Sequence, residues 1–251
     1  MNLKKYFELS RFWLLLKMEM SRSRKGLLMT LIIIFGFLFI AGLLLSPILD
    51  PNLTIYEYTQ GYAFMLLTGG FILSSQAYRD LGNPLRKYNY LTLPVSAFEK
   101  FLSMWLLTSV GWILLFTLTY SVYSLIATSI GHLIYDHLTF VPFDPLSPTV
   151  IKSAKLYFVL QGIFLAGAAQ FRGYSLPKTL LTLILFTAVC SVIVYLIMKD
   201  MFNIEWPSGS CTVIYEMPVG QIFTIIKWMF WWLLAPLCWL VTYMGLKEQE
   251  V

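Results

Sequence analysis

Apolar residues run in long blocks along this chain, and polar residues collect between them. The blocks fall at 26–46, 58–75, 101–128, 155–170, 179–198 and 228–246. Several approach the roughly 20 apolar residues that a helix needs to cross a hydrocarbon core. Charges do not interrupt them every turn or two, as they would in a soluble helical domain. The pattern predicts an all-α membrane protein with six transmembrane helices, in a single membrane domain over 1–251. That domain divides into an interfacial helix (1–25), two spans (26–75), a cytoplasmic loop (76–100) and four further spans with outer loops (101–251).

Punctuation sharpens the blocks. Pro47 and Asp50-Pro51 close the first span, and Gly61, Gly69 and Gly70 let the second approach a neighbour closely. The third block is longer than a crossing requires, which predicts tilt or extension beyond the core. Gly162, Ala166, Gly167 and Ala169 are packing positions of the fourth, and Gly173 and Pro177 make a tight turn before the fifth. Residues 220–227 read either as the start of the sixth helix, with Lys227 snorkelling, or as a short re-entrant helix, the option favoured here. Trp228, Phe230, Trp231 and Trp232 suit a membrane interface.

Residues 1–25 differ. At about 100° per residue, Lys4, Glu8, Arg11, Glu19 and Arg22 share one sector, while Leu3, Tyr6, Phe7, Trp13, Leu14 and Met20 lie elsewhere. Phe12 and Leu15 intrude on the polar sector, and Lys17 sits opposite it. This predicts a helix lying on the inner membrane surface; the other reading is a basic leader that orients the first span.

Composition agrees with lipid as the solvent. Charged residues are 12% of the 251, against about 25% in soluble domains, and the mean hydropathy is +0.72. The charge has a side. With the N-terminus inside, the inner segments hold 14 Lys and Arg and the outer ones 4 (Lys152, Lys155, Lys199, Lys227). On the positive-inside rule both termini and the stretch 76–100 are cytoplasmic. A signal peptide is not expected, since no short apolar region precedes a small-residue cleavage site. The three cysteines, Cys190, Cys211 and Cys238, form no CxxC pair, and a structural disulfide is not expected.

Catalytic chemistry is thinly represented. His132 and His137 stand about 140° apart on a helix, so they cannot share a metal there; with Asp136 and Asp144 they could hold an ion only in a loop, and otherwise form a solvated outer rim. Ser208-Gly209-Ser210 lacks the G-x-S-x-G elbow. No G-x-x-x-x-G-K-[ST] loop occurs, so work would need a nucleotide-hydrolysing partner. The spans hold almost no ionisable side chain, unlike ion-driven transporters.

The stretch 76–100 offers such a partner a surface. Arg79-Asp80 ends the second helix, and Gly82-Asn83-Pro84 turns the chain. Residues 86–93 have room for two helical turns, Pro94 breaks them, and Ser96 with Glu99 makes a capping box for the next helix. By themselves these residues also read as a charged loop before a well-capped helix.

The run Arg79-x-x-Gly82-Asn83 … Leu91-Thr92-Leu93-Pro94-Val95-Ser96-x-x-Glu99 resembles the coupling loop of type 2 ABC exporter permeases, between their second and third membrane helices. It looks like a divergent branch of small bacterial permease-like proteins. Tyr78 stands where that family has an acid, Asn83-Pro84 where it has Thr, and Ser103-Met104 where Gly-Lys is common. The resemblance implies a permease subunit in the bacterial inner membrane, working as a homodimer or heterodimer with a separate ATP-binding-cassette ATPase. Arg79, Asp80, Gly82, Pro94, Ser96 and Glu99 are then the partner-coupling residues. Neither catalysis nor a cofactor of its own is expected of the chain, and nucleic acid is not an expected partner. A reading of another class is a membrane anchor or assembly protein that transports nothing.

Overall fold

A computed structural model describes residues 7–45, 55–82, 84–135, 139–171, 173–202, 224 and 227–250. Helix dominates it. The first helix, α1 (Leu9–Leu38), runs on into π-helical turns, Phe39–Leu45. A short strand β1 (Ile55–Glu57) leads into α2 (Tyr58–Gln76). The polar stretch follows as a 3₁₀ turn (Arg79–Gly82) and α3 (Pro84–Leu91). The long α4 (Ala97–Ile134) contains a π segment at Leu107–Gly111. Strand β2 (Thr139–Val141), α5 (Pro148–Gln170), α6 (Ser175–Phe202) and α7 (Leu234–Glu250) complete the chain. Among the described residues, α4, α5 and α6 are long and apolar enough to cross a membrane. The bent pair Leu9–Arg24 and Gly26–Gly42 makes a fourth candidate if counted as one span.

Two of the six predicted spans fall outside that count. Helix α2 is long enough but opens on Tyr58, Thr59, Gln60, Gly61 and Tyr62, which lower its hydropathy. The sixth is divided. Residues 227–232 are helical, Leu233 is a turn, and α7 starts at Leu234. Pro236 accounts for the break, because it has no N–H for the carbonyl one turn back and its ring crowds that carbonyl. The predicted interfacial helix and first span are one continuous helix, bent by 48° near Lys25. Fifth-helix residues begin at Ser175 and the fourth helix at Pro148, after Ser147, whose hydroxyl accepts the Val150 N–H.

Helices α2 and α4 form an antiparallel hairpin whose register is fixed by polar contacts. Tyr58 OH meets Thr128 Oγ1 at 3.0 Å, Tyr62 OH meets Thr117 Oγ1 at 2.8 Å, and Trp112 Nε1 donates to the Leu66 carbonyl at 3.1 Å. Each partner keeps a buried donor satisfied where no water would reach it. Aromatic rings fill the space between these contacts: Tyr62, Phe116 and Tyr120 are all buried. Helix α5 enters where glycine permits. A Cβ at Gly70 would overlap the Tyr157 ring. That ring's hydroxyl donates to the Thr108 carbonyl in the π segment of α4, and Gln161 Nε2 donates to Thr108 Oγ1 at 2.8 Å.

The connectivity gives the bundle two distinct ends. At one, β1 and β2 pair in parallel, Ile55 opposite Thr139 and Glu57 opposite Val141. Sequence patterning did not reveal this ladder, since three-residue strands show no alternation to detect. At the other end, the stretch 79–96 meets the turn after α5. A Cβ on Gly82 would lie 3.2 Å from the Gly173 nitrogen, and Ser175 Oγ donates to the Ser75 carbonyl. Gly173 (φ 64) and exposed Tyr174 (φ 47) make that turn in left-handed backbone. Gln249 of α7 reaches the same end, donating to the Ala169 carbonyl at 3.1 Å.

Candidate coupling site at the polar end

The capping box read from the sequence is present. Ser96 Oγ accepts the Glu99 N–H at 3.2 Å, and Glu99 Oε2 accepts the Ser96 N–H at 2.9 Å. Glu99 does more than cap its own helix. Its other oxygen, Oε1, accepts the backbone N–H of Glu8 at 2.8 Å and lies 3.8 Å from Arg11 Nη2. Arg11 Nε in turn lies 3.0 Å from Glu8 Oε2. Glu99 is 0% exposed. Two amide donors, an arginine and the α4 N-terminus compensate a buried carboxylate that would otherwise be costly.

Asp80 is a second node. Its Oδ2 lies 2.7 Å from Arg22 Nη1, and its Oδ1 lies 3.6 Å from Arg86. The sector Glu8, Arg11, Glu19 and Arg22 therefore meets the protein's own polar stretch at Glu99 and Asp80. Leu15, which intrudes on that sector, is buried, and Phe12 packs at a tilt against Phe7, itself edge-on to Phe98. The apolar side carries Trp13 (64% exposed) and Leu14, and Lys17 is exposed there too. The signal was legible, but its counter-charges lie some 60 to 90 positions away in sequence, between Arg22 and Asp80 and between Arg11 and Glu99.

Beside the Asp80 node lies a cavity of about 280 Å³, between α1, the end of α2 and the π segment of α4. Glu19 lines it, 2% exposed, with Oε1 lacking any hydrogen-bond partner among the described residues. Burial raises its carboxyl from 4.5 to about 6; Arg22 opposes that rise and Asp80 adds to it. Tyr78, at the position where the resembled family has an acid, is buried with its hydroxyl unpartnered. Its phenol is pushed up by burial, then by Tyr90 and Glu19.

The remaining coupling residues reach solvent, Arg79 while also lining the cavity. Arg79, Gly82 and Pro94 are exposed, Ser96 is half-buried. On α3, Leu85 is 80% and Tyr88 70% exposed, while Tyr90 is buried beneath Lys100, whose Nζ sits 5.5 Å from the ring centre. The six residues thus split into a surface group and an internal group, with Glu99 having no surface to offer a partner. His132 stands at the opposite end, edge-on to Phe140 at 5.1 Å. Asp136, His137 and Ser208–Ser210 lie outside the described residues. Among the described residues no three His, Cys, Asp or Glu gather as a metal site. No protein-family model, curated protein or solved structure matches the chain.

Proposed function

We propose that this chain is the membrane-spanning permease subunit of an ATP-binding-cassette exporter, with six spans and both termini in the cytoplasm of a bacterium. A separate ATPase docks on residues 76–100, and two permease copies together form the path. One observation carries the reading. The exposed polar stretch is bonded on its inner side to the N-terminal helix at two charged nodes, and it continues through the Ser96 cap into the 38-residue α4. A push on α3 reaches the bundle through Asp80 and Glu99. Arg79, Gly82 and Pro94, with Leu85 and Tyr88 beside them, take the contact. The charge count, 14 against 4, supports the cytoplasmic placement.

The test separates contact from transmission. The chain purified in mild detergent brings down an ATPase that carries a phosphate-binding loop. Arg79→Glu together with Tyr88→Ala removes that partner while leaving the chain's own melting unchanged. Asp80→Asn retains the partner but uncouples its ATPase rate from the permease. A partner without such a loop assigns the chain to the anchor class instead.

A further inference from the structure

The Glu19 cavity is amphipathic and sits at the bend of α1, between its halves Leu9–Arg24 and Gly26–Gly42. In a membrane-embedded chain this is headgroup depth, where the basic half lies along the surface and the apolar half descends. The walls follow that division. Leu27, Ile72, Leu73 and Leu107 face it from the span side, and Glu19 and Arg79 from the polar side. Arg22 and Asp80 also line it but satisfy one another at 2.7 Å. The remaining buried charge is a carboxylate on which Arg22 acts only through space and one of whose oxygens lacks a hydrogen-bond partner among the described residues; Arg79 is the cation of the lining with no ion pair among them. Nothing charged faces the cavity from α4, which contributes Met104, Leu107 and Thr108.

A single cation would leave Arg79 without an anion, and a single anion would leave the Glu19 oxygen without a donor. A ligand carrying both charges a short distance apart, at the end of an apolar chain, matches the whole lining. We propose that this cavity binds a phosphoethanolamine group, its primary ammonium on Glu19 and its phosphate beside Arg79. The volume is below that of most drug-sized pockets and suits a headgroup with the first carbons attached. A trimethylammonium group has no N–H to donate to the Glu19 carboxylate, so choline-bearing analogues are disfavoured. The site needs only membrane embedding and does not depend on an ATPase partner.

The full chain, purified and equilibrated in mixed micelles holding equal ethanolamine, choline and glycerol phospholipids, is examined by native mass spectrometry for retained lipid. The expected result is roughly tenfold retention of the ethanolamine lipid over the choline lipid, the scale of one charge-assisted hydrogen bond. Glu19→Gln brings the two to parity without lowering the melting temperature, and Glu19→Asp keeps part of the preference. Arg79→Gln lowers retention of both lipids without changing their ratio. The preference fades as pH falls below about 6, where Glu19 takes a proton. Displacement by soluble phosphoethanolamine at equal concentration assigns the site to the free molecule, and failure to displace assigns it to the lipid. Equal retention of both lipids by the wild type, or an undiminished preference in Glu19→Gln, overturns the proposal.

Discussion

The carboxylate of Glu99 accepts the backbone N–H of Glu8 at 2.8 Å, across 91 positions of sequence. The same side chain caps α4 through the Ser96 N–H, so one residue both starts a long helix and holds another in place. Glu99→Ala should therefore cost more than a lost cap, on the order of 2–4 kcal/mol. Glu99→Gln has one acceptor oxygen for two amides and should lose about half as much. Unfolding of the two variants in mild detergent checks the order.

Arg22 and Asp80 pair at 2.7 Å with both side chains partly in solvent. A double-mutant cycle on Arg22→Gln and Asp80→Asn should give a coupling of only about 0.5–1 kcal/mol, smaller at high salt. The exchanged pair, Arg22→Asp with Asp80→Arg, should recover most of it. A coupling near zero would mean that the N-terminal helix is held at Glu99 alone.

Glu19 sets a pH dependence. Its carboxyl is raised from 4.5 to about 6, so the folded chain keeps a proton that the unfolded chain releases. The stability supplied by that proton is complete below about 4.5 and is lost as pH rises through about 6. In lipid-free detergent at pH 8, Glu19→Gln should be more stable than wild type by up to about 2 kcal/mol. Melting curves of the two should converge at pH 4.

Gly70 and Gly26 make a matched pair. A methyl at Gly70 would occupy the Tyr157 ring, and its removal from that contact would disturb the bond to Thr108, whereas Gly26 has nothing within 4 Å. Gly70→Ala should destabilise by about 1–3 kcal/mol through overpacking. Gly26→Ala should be neutral or gain up to about 1 kcal/mol from helix propensity. Thermal unfolding of both in one detergent decides the contrast.

Local rules carried the sequence reading where the deciding residues are neighbours. Ser96 and Glu99 are three apart, and the capping box formed as their spacing predicts. Gly173 turned the chain where it was expected to. What the sequence could not show was determined by distant partners. The charged sector of residues 8–22 reads as a membrane-surface face, and nothing local to it shows that Glu99 and Asp80 also meet it. The division at Leu233 has a local cause in Pro236, inside a block whose apolar composition alone reads as one span. The β1–β2 ladder had no signal at all, since its two strands are three residues each and over eighty positions apart.

That ladder bears on how a push at the polar end would travel. Strands β1 and β2 tie the far ends of α2 and α4 together, so the hairpin cannot slide one helix past the other without breaking main-chain hydrogen bonds. It can only swing. With α4 about 57 Å long at 1.5 Å per residue, the ladder is a pivot and the Ser96 end is the tip of a lever arm. A displacement applied at the tip is divided down along the arm, largest beside Asp80 and smallest beside Phe140.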